Sequence, residues 1–284
     1  MTEPPGEDDA RLAADLVRAA GDLAARMRAE GVAVDRKTSI TDVVSSADRA
    51  AEALITDRLA RERPADGLVG EEGARSAASS GRTWYIDPVD GTFNFVQGLS
   101  AWCSAVALEV DGAPMLGAVY HPAQDELWLG GPGRPTTCNG RPVAPLADAA
   151  LADLPLATYI HGTVLGQAAV REPIIAAMAA TSTVRMLGSG SVELAALAGG
   201  RLGLWLQHDS APWDWLPGAA LVAGAGGAAI TVPAGGRRWH IAGPPRAADA
   251  LAELVVRVAD SAAAADAAAD PQPSDADHRC RSTH

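Results

Sequence analysis

Apolar positions follow two rhythms along this chain. Between residues 9 and 30, Leu12, Leu16, Leu23 and Met27 recur near helical spacing, with Arg and Asp between them, and Gly31 closes the run. A core-facing helix is predicted there. A second helix, capped by Ser45 or Ser46, is expected to run to about Arg63 with Leu54, Ile55 and Leu59 inward, and Pro64 stops it. Strand-like runs then take over at 68–70, 84–86, 104–110, 115–120 and 127–129, with Asp111-Gly112 as a hairpin signal. They predict an antiparallel sheet. The Gly/Pro-rich stretch 130–145 reads as a connection, with Asn139-Gly140 a further turn.

Beyond residue 150 the rhythm alternates. Strands are expected at 154–160, 184–187, 202–206 and 228–232, and helices at 168–179, 191–198, 214–224 and 247–259. The chain therefore divides into an α+β half at 9–150 and an α/β half at 151–261. Residues 1–8 and the Ala/Asp/Pro/Ser tail at 262–284 carry too little apolar bulk to pack and are expected to be disordered, with Cys280 an idle thiol in the tail.

Composition narrows the functional classes. With 48% hydrophobic residues in 284, the chain can bury a substantial core. A net charge of −12 argues against a nucleic-acid or anionic-membrane surface, but not against an anionic substrate, because bound cations invert a local field. Three scattered cysteines without a C-x-x-C pair indicate neither a disulfide framework nor a thiolate zinc site. The first residues lack signal-peptide order, and the apolar stretches are Ala-rich and broken by charge. A soluble cytoplasmic protein is expected.

The chemistry centres on W-Y-I-D-P-V-D-G-T-F-N-F at 84–95. Pro88 is expected to end the strand after Ile86, so that Asp87 and Asp90 follow it within one turn, ahead of a helix start at Gly91 and Thr92. Oxygen ligands beside exposed amides suit a hard cation holding a phosphate. The same letters also describe an ordinary polar turn. Elsewhere too the polar residues have ordinary readings. Lys37 is a ligand contact or a solvated lysine, and Asp42 and Asp48 are site residues or helix caps. Glu71-Glu72 at a strand end reads as a solvated turn, and Gly188 to Ser191 as a capped helix start. His208 lies near the site by sequence, with a surface or packing role as its commoner fate.

Set side by side, G-E-E at 70–72, D-P-V-D-G-T at 87–92 and W-D at 213–214, with Lys37 and Asp42 upstream, resemble the inositol monophosphatase family of metal-dependent sugar phosphatases over about residues 10–260. The resemblance implies a five-layered α-β-α-β-α fold, commonly a homodimer, and Mg²⁺ as cofactor. It assigns Glu71, Asp87 and the main-chain carbonyl of Val89 to one ion, and Asp87, Asp90 and Asp214 to a second. Asp42 and Glu71 fall where a weaker third ion lies. Thr92, with Asp42 as its partner, would orient an attacking water, and Glu71 would take its proton. The N–H groups of Gly91 and Thr92 would hold phosphate, with Lys37, Ser189 and Gln207 toward the substrate. The expected activity is hydrolysis of a small phosphorylated polyol, first inositol monophosphate. Gln207 stands where inositol-cleaving members carry glutamate, which keeps histidinol phosphate, fructose bisphosphate and adenosine bisphosphate open. Histidinol phosphate is weakened in turn, because Arg185-Met-Leu-Gly-Ser-Gly replaces that branch's R-x-x-G-D-F. An inactive metal-binding regulator is the alternative of a different class, ranked low because no motif residue is missing.

Overall fold

A computed structural model describes residues 4–31, 34–36 and 43–269. Two long helices, α1 (Glu7–Glu30) and α2 (Ser46–Glu62), flank a short antiparallel pair, β1 (Val34–Arg36) and β2 (Val43–Ser45). Ser45 caps α2: its hydroxyl accepts the Ala47 N–H at 3.1 Å, while the Asp48 carboxylate accepts the Ser45 N–H at 3.0 Å. Next come β3 (Gly67–Gly70), β4 (Arg75–Ser76), β5 (Arg82–Asp90), the short α3 (Thr92–Val96), β6 (Cys103–Val110) and β7 (Ala113–His121). β8 (Glu126–Gly131), β9 (Arg134–Cys138) and β10 (Arg141–Pro142) complete a sheet ordered β10-β9-β8-β7-β6-β5-β3-β4. Only the β3–β5 pair is parallel. Asp111 and Asn139, with φ +50 each, sit with Gly112 and Gly140 in the left-handed turns that the sequence signals.

The second half supplies β11 (Pro155–Thr158), α4 (Ala168–Ala180), β12 (Thr183–Arg185), α5 (Gly190–Ala198), β13 (Leu204–His208) and α6 (Pro212–Gly224). It ends with β14 (Ala228–Ala234), β15 (Arg237–Gly243) and α7 (Pro245–Ala269). Its sheet runs β12-β11-β13-β15-β14, parallel over the first three strands and antiparallel over the rest.

Side-chain alternation on the strands sorts the core into layers. Leu16 and Val17 of α1 and Ile55 of α2 pack on Trp84, Val106 and Leu116 of the first sheet. That sheet's other face, with Ala105, Val119 and Trp128, meets Leu194 of α5 and Leu221 of α6. Those helices also touch Ala157, Trp205 and Ala242 of the second sheet, whose far face is covered by Ile174 of α4 and Leu251 of α7. The result is α-β-α-β-α, the five layers expected. Among the described residues no helix is long and apolar enough to cross a membrane.

Four expectations need correction. The strand at Trp84 does not stop before Pro88: β5 continues to Asp90, with a register break between Asp87 and Asp90 where proline's missing N–H does no harm. The presumed connection at 130–145 contains β9 and β10. Gly130 and Gly131 are there for close packing, since a Cβ would lie 2.2 Å from Thr136 Oγ1 and Met115 O respectively. β15 was not anticipated. Finally, helix replaces disorder at Glu7–Asp8 and through residues 262–269, where alanine's helical propensity needs no apolar bulk; residues 270–284, with Cys280, lie outside the described residues.

Candidate active site

The parallel neighbours β3 and β5 end side by side, and this brings the acidic motifs together. Gly70 pairs with Ile86, and the Glu71 N–H donates to the Ile86 carbonyl at 3.1 Å, so Glu71 starts where Asp87 starts. The irregular end of β5 is pinned by Ser104 Oγ, which donates to Pro88 O at 2.6 Å. Gly91 then turns the chain with φ +90, and a Cβ there would sit 2.9 Å from Ala101 O and 3.2 Å from Gly188 O. Both constraints demand glycine. The first bond of α3 is Phe95 N to Gly91 O at 2.9 Å, so the N–H groups of the preceding residues lie outside the helix's own ladder. Asp214 arrives from the first turn of α6, begun by Pro212.

Together Glu71, Asp87, Asp90 and Asp214 line a cavity of about 200 Å³, with Val89, Gly91 and Thr92 on its floor and Phe93, Tyr159 and Gly188 in its wall. A cavity of about 250 Å³ beside Trp128 and Arg185 is larger, but its one carboxylate, Glu126, is already paired with Arg201 at 2.5 Å. Chemistry favours the smaller one.

The acidic cluster is electrostatically strained. Asp87 is 1% exposed, and its carboxyl is held well above the usual range by burial and then by the charges of Glu71, Asp90 and Asp214. It shares a hydrogen bond with Asp214, while its Oδ1 is buried without a partner. Asp214 is pushed up to about 7, by burial and then by Asp90. Burial also raises Asp90, against the stabilising Ser191 N–H, which donates to Oδ2 at 2.5 Å. Crowded oxygen donors whose charges repel, one with an orphaned buried oxygen, fit a hard divalent cation. Among the described residues no three acidic, His or Cys side chains already converge in ion-holding geometry. Asp90 instead faces Ser191, and Asp87 faces Asp214.

The remaining expected site residues separate. Thr92 Oγ1 lies 2.9 Å from Asp48 Oδ1 and 3.0 Å from Val89 O, and as a donor it favours the carboxylate. Among the described residues its carboxylate partner is Asp48. Asp48 stands at the third position of α2 facing α3, whereas Asp42, like Lys37, lies outside the described residues. Burial raises the Asp48 carboxyl, opposed by its bonds to Ser45 and Thr92. Ser189 is 2% exposed, caps α5 and bonds to Asp90, so it faces a carboxylate and not the cavity. Gln207, on β13, approaches Ser210 Oγ at 3.4 Å and is absent from the cavity wall. His208 packs on Trp239, ring centres 5.6 Å apart. Phe93 and Tyr159, 42% and 40% exposed, are cavity residues that the sequence reading missed. Phe93 at least stood inside the motif, between Thr92 and Asn94.

A scaffold and a cavity of this kind define a class of enzyme, the metal-dependent phosphatases that hydrolyse phosphoric monoesters. The family follows from comparison with known proteins: the model of the inositol monophosphatase family matches residues 7–266, and the chain belongs to that family. It is 34% identical to an inositol-1-monophosphatase of Rhizobium meliloti over 76% of this chain and 84% of that protein. It is 42% identical to a histidinol-phosphatase of Mycobacterium tuberculosis, over 45% of this chain and 49% of that one. The extragenic suppressor protein suhB of Bartonella henselae superposes with a TM-score of 0.78 at 28% identity, covering 86% of this chain and 97% of its own.

Proposed function

We propose that this protein is a Mg²⁺-dependent phosphomonoesterase acting on a small phosphorylated polyol, with inositol monophosphate as the leading substrate. The observation that carries the reading is the gathering of four carboxylates, from three separate segments, around one cavity beside the start of α3. Glu71, Asp87 and the Val89 carbonyl would hold one ion, and Asp87, Asp90 and Asp214 a second. Bound Mg²⁺ polarises phosphoryl oxygens, acidifies water and stabilises the leaving oxygen. The N–H groups of Gly91 and Thr92 would hold the phosphate. Thr92, its hydroxyl directed by Asp48, would orient the attacking water, and Glu71 would accept the proton. No side chain needs to become phosphorylated, since positioning and charge supply most of the catalysis.

A second reading, histidinol phosphate, gains from one observation. The wall residues other than the proposed metal and phosphate ligands are Phe93, Tyr159 and Gly188, and exposed aromatic faces suit a flat ring at least as well as a ring of hydroxyls. Similarity to a histidinol-phosphatase adds support. The test is phosphate release with Mg²⁺ over inositol phosphates, histidinol phosphate, fructose bisphosphate and adenosine bisphosphate. Preference for inositol monophosphate supports the leading reading, and preference for histidinol phosphate replaces it. A homodimer working in the cytoplasm belongs to the same reading, and sedimentation of the purified protein checks the first part.

A further inference from the structure

Glu193 is a carboxylate with no place in the cavity, yet it is 0% exposed. It lies in α5 between Val192 and Leu194, both members of the central apolar cluster. Oε1 accepts the Leu187 N–H at 2.7 Å, Oε2 accepts the Trp205 Nε1–H at 3.0 Å, and the Gly188 N–H bonds to the same group. A capping box would instead return to the N–H of the cap residue, Ser189. Glu193 reaches past the cap, to the segment before it and to the second sheet. An acid buried in an apolar helix is costlier than a leucine there, and here its oxygens are spent on holding neighbouring segments.

The segment it holds leads to Asp90. The Leu187 carbonyl is taken from the opposite side by Asn94 Nδ2 at 2.7 Å, and that amide also donates to Ala101 O at 2.8 Å. Asn94 belongs to α3, two residues after Thr92. Leu187 is thus gripped by both backbone groups. A few residues on, the same turn delivers the Ser189 hydroxyl and the Ser191 N–H to Asp90.

We propose that Glu193 and Asn94 are positioning residues: together they clamp Leu187 and so fix the 187–191 turn where Ser189 and Ser191 hold Asp90 for its ion. The proposal rests on the phosphatase reading. The proposed phosphate-holding groups lie on Gly91 and Thr92, outside the turn, and of the turn Gly188 alone lines the cavity, so kcat and Mg²⁺ affinity should suffer far more than KM.

The test uses the full chain with Glu193→Gln, Asn94→Ala and the double variant. In Glu193→Gln an amide N–H₂ faces an N–H donor and one hold is lost. We expect each single variant to lower kcat at saturating Mg²⁺ about tenfold or more, with KM within about twofold. Calorimetric titration of the metal-free protein with Mg²⁺ should show an affinity weakened by a similar factor. The double variant should lose less than the product of the single losses, because both act on one turn. Folded single variants with parental kcat and parental Mg²⁺ affinity overturn the clamp, as does strict additivity. If Glu193→Gln does not fold, Asn94→Ala decides alone by the same readings. A parent that releases no phosphate with Mg²⁺ removes the phosphatase reading instead, and the calorimetry still judges the clamp.

Discussion

Asp48→Asn separates the site from the scaffold with one atom. Asp48 is fully buried, with Oδ2 accepting from Ser45 and Oδ1 from Thr92 at 2.9 Å. In the variant the amide oxygen can still accept the Ser45 N–H, while N–H₂ turns to Thr92 and can only donate. The Thr92 proton is then sent to Val89 O at 3.0 Å, the carbonyl proposed to hold an ion. A hydrogen bond to a charged acceptor is worth about 1.5–3 kcal/mol net, which at 1.4 kcal/mol per decade means kcat falling about 10- to 150-fold. Stability should barely move. Weakening the cap costs about 0.5–2 kcal/mol, but burial raises the Asp48 carboxyl, so a neutral group recovers desolvation energy and offsets part of that cost. A net change near 1 kcal/mol shifts the melting temperature by only about 2–4 °C. Steady-state phosphate release and thermal melting on the same preparation measure both. Thr92→Val should lose as much activity, and Asp48→Asn with Thr92→Val no more than either alone. A folded Asp48→Asn variant within about threefold of parental kcat, or additive losses, would refute the Thr92–Asp48 pairing.

Other outcomes follow from the same geometry. Gly91→Ala meets both a left-handed φ and backbone at 2.9 Å, so it should lose more than the roughly 1–2 kcal/mol of the conformational term, read by denaturant melts. Asp90→Asn should cut kcat about a thousandfold while the metal-free protein melts no lower, since one of several repelling carboxylates is gone; near-parental turnover removes Asp90 from the site. Tyr159→Ala should raise KM most for the substrate with the flattest leaving group, and a uniform effect across the panel counts against an aromatic subsite. Burial holds Glu193 at about 8, above its unfolded value near 4.5, so the folded state binds the proton more tightly. Stability should fall as pH rises from 4.5 to 8, and Glu193→Gln should flatten that slope; identical slopes in urea melts would show that Glu193 titrates normally.

The parts of the site that sit in short continuous motifs were readable from sequence. Asp87, Asp90 and Gly91 are neighbours along the chain, and their spacing survives any packing. Asp48 was harder, because its approach to Thr92 shows only once α2 and α3 are packed together. One local cue existed: Ser45-x-x-Asp48 is a capping pattern, which fixes where α2 starts and hence which way Asp48 points. Helices and hairpins with strong local signals, such as the Leu12–Leu16 spacing and Asp111-Gly112, were predicted near their observed bounds. The end of β8 and its turn into β9 were not, because Gly130 and Gly131 look like loop residues until the close approach of Thr136 and Met115 is known. Phe93 and Tyr159 illustrate a different gap, since nothing local tells an exposed aromatic from a core one. Glu193 did leave a trace, a lone acid in an apolar helix.

The order of the chain has a consequence for when the enzyme becomes one. Glu71, Asp87 and Asp90 come from the first sheet, but Asp214 rides on α6, the helix that fills the space between the two sheets. An emerging chain can complete the β3–β5 pair long before α6 exists. Such contacts, distant in sequence, close late because loop entropy must be met first. A half-made chain therefore carries three of the four cavity carboxylates without the fourth and without the central helices, and under the proposed reading it should capture metal weakly. Competence to hydrolyse anything is acquired only when the sheets have met, so catalysis itself serves as a readout of finished assembly.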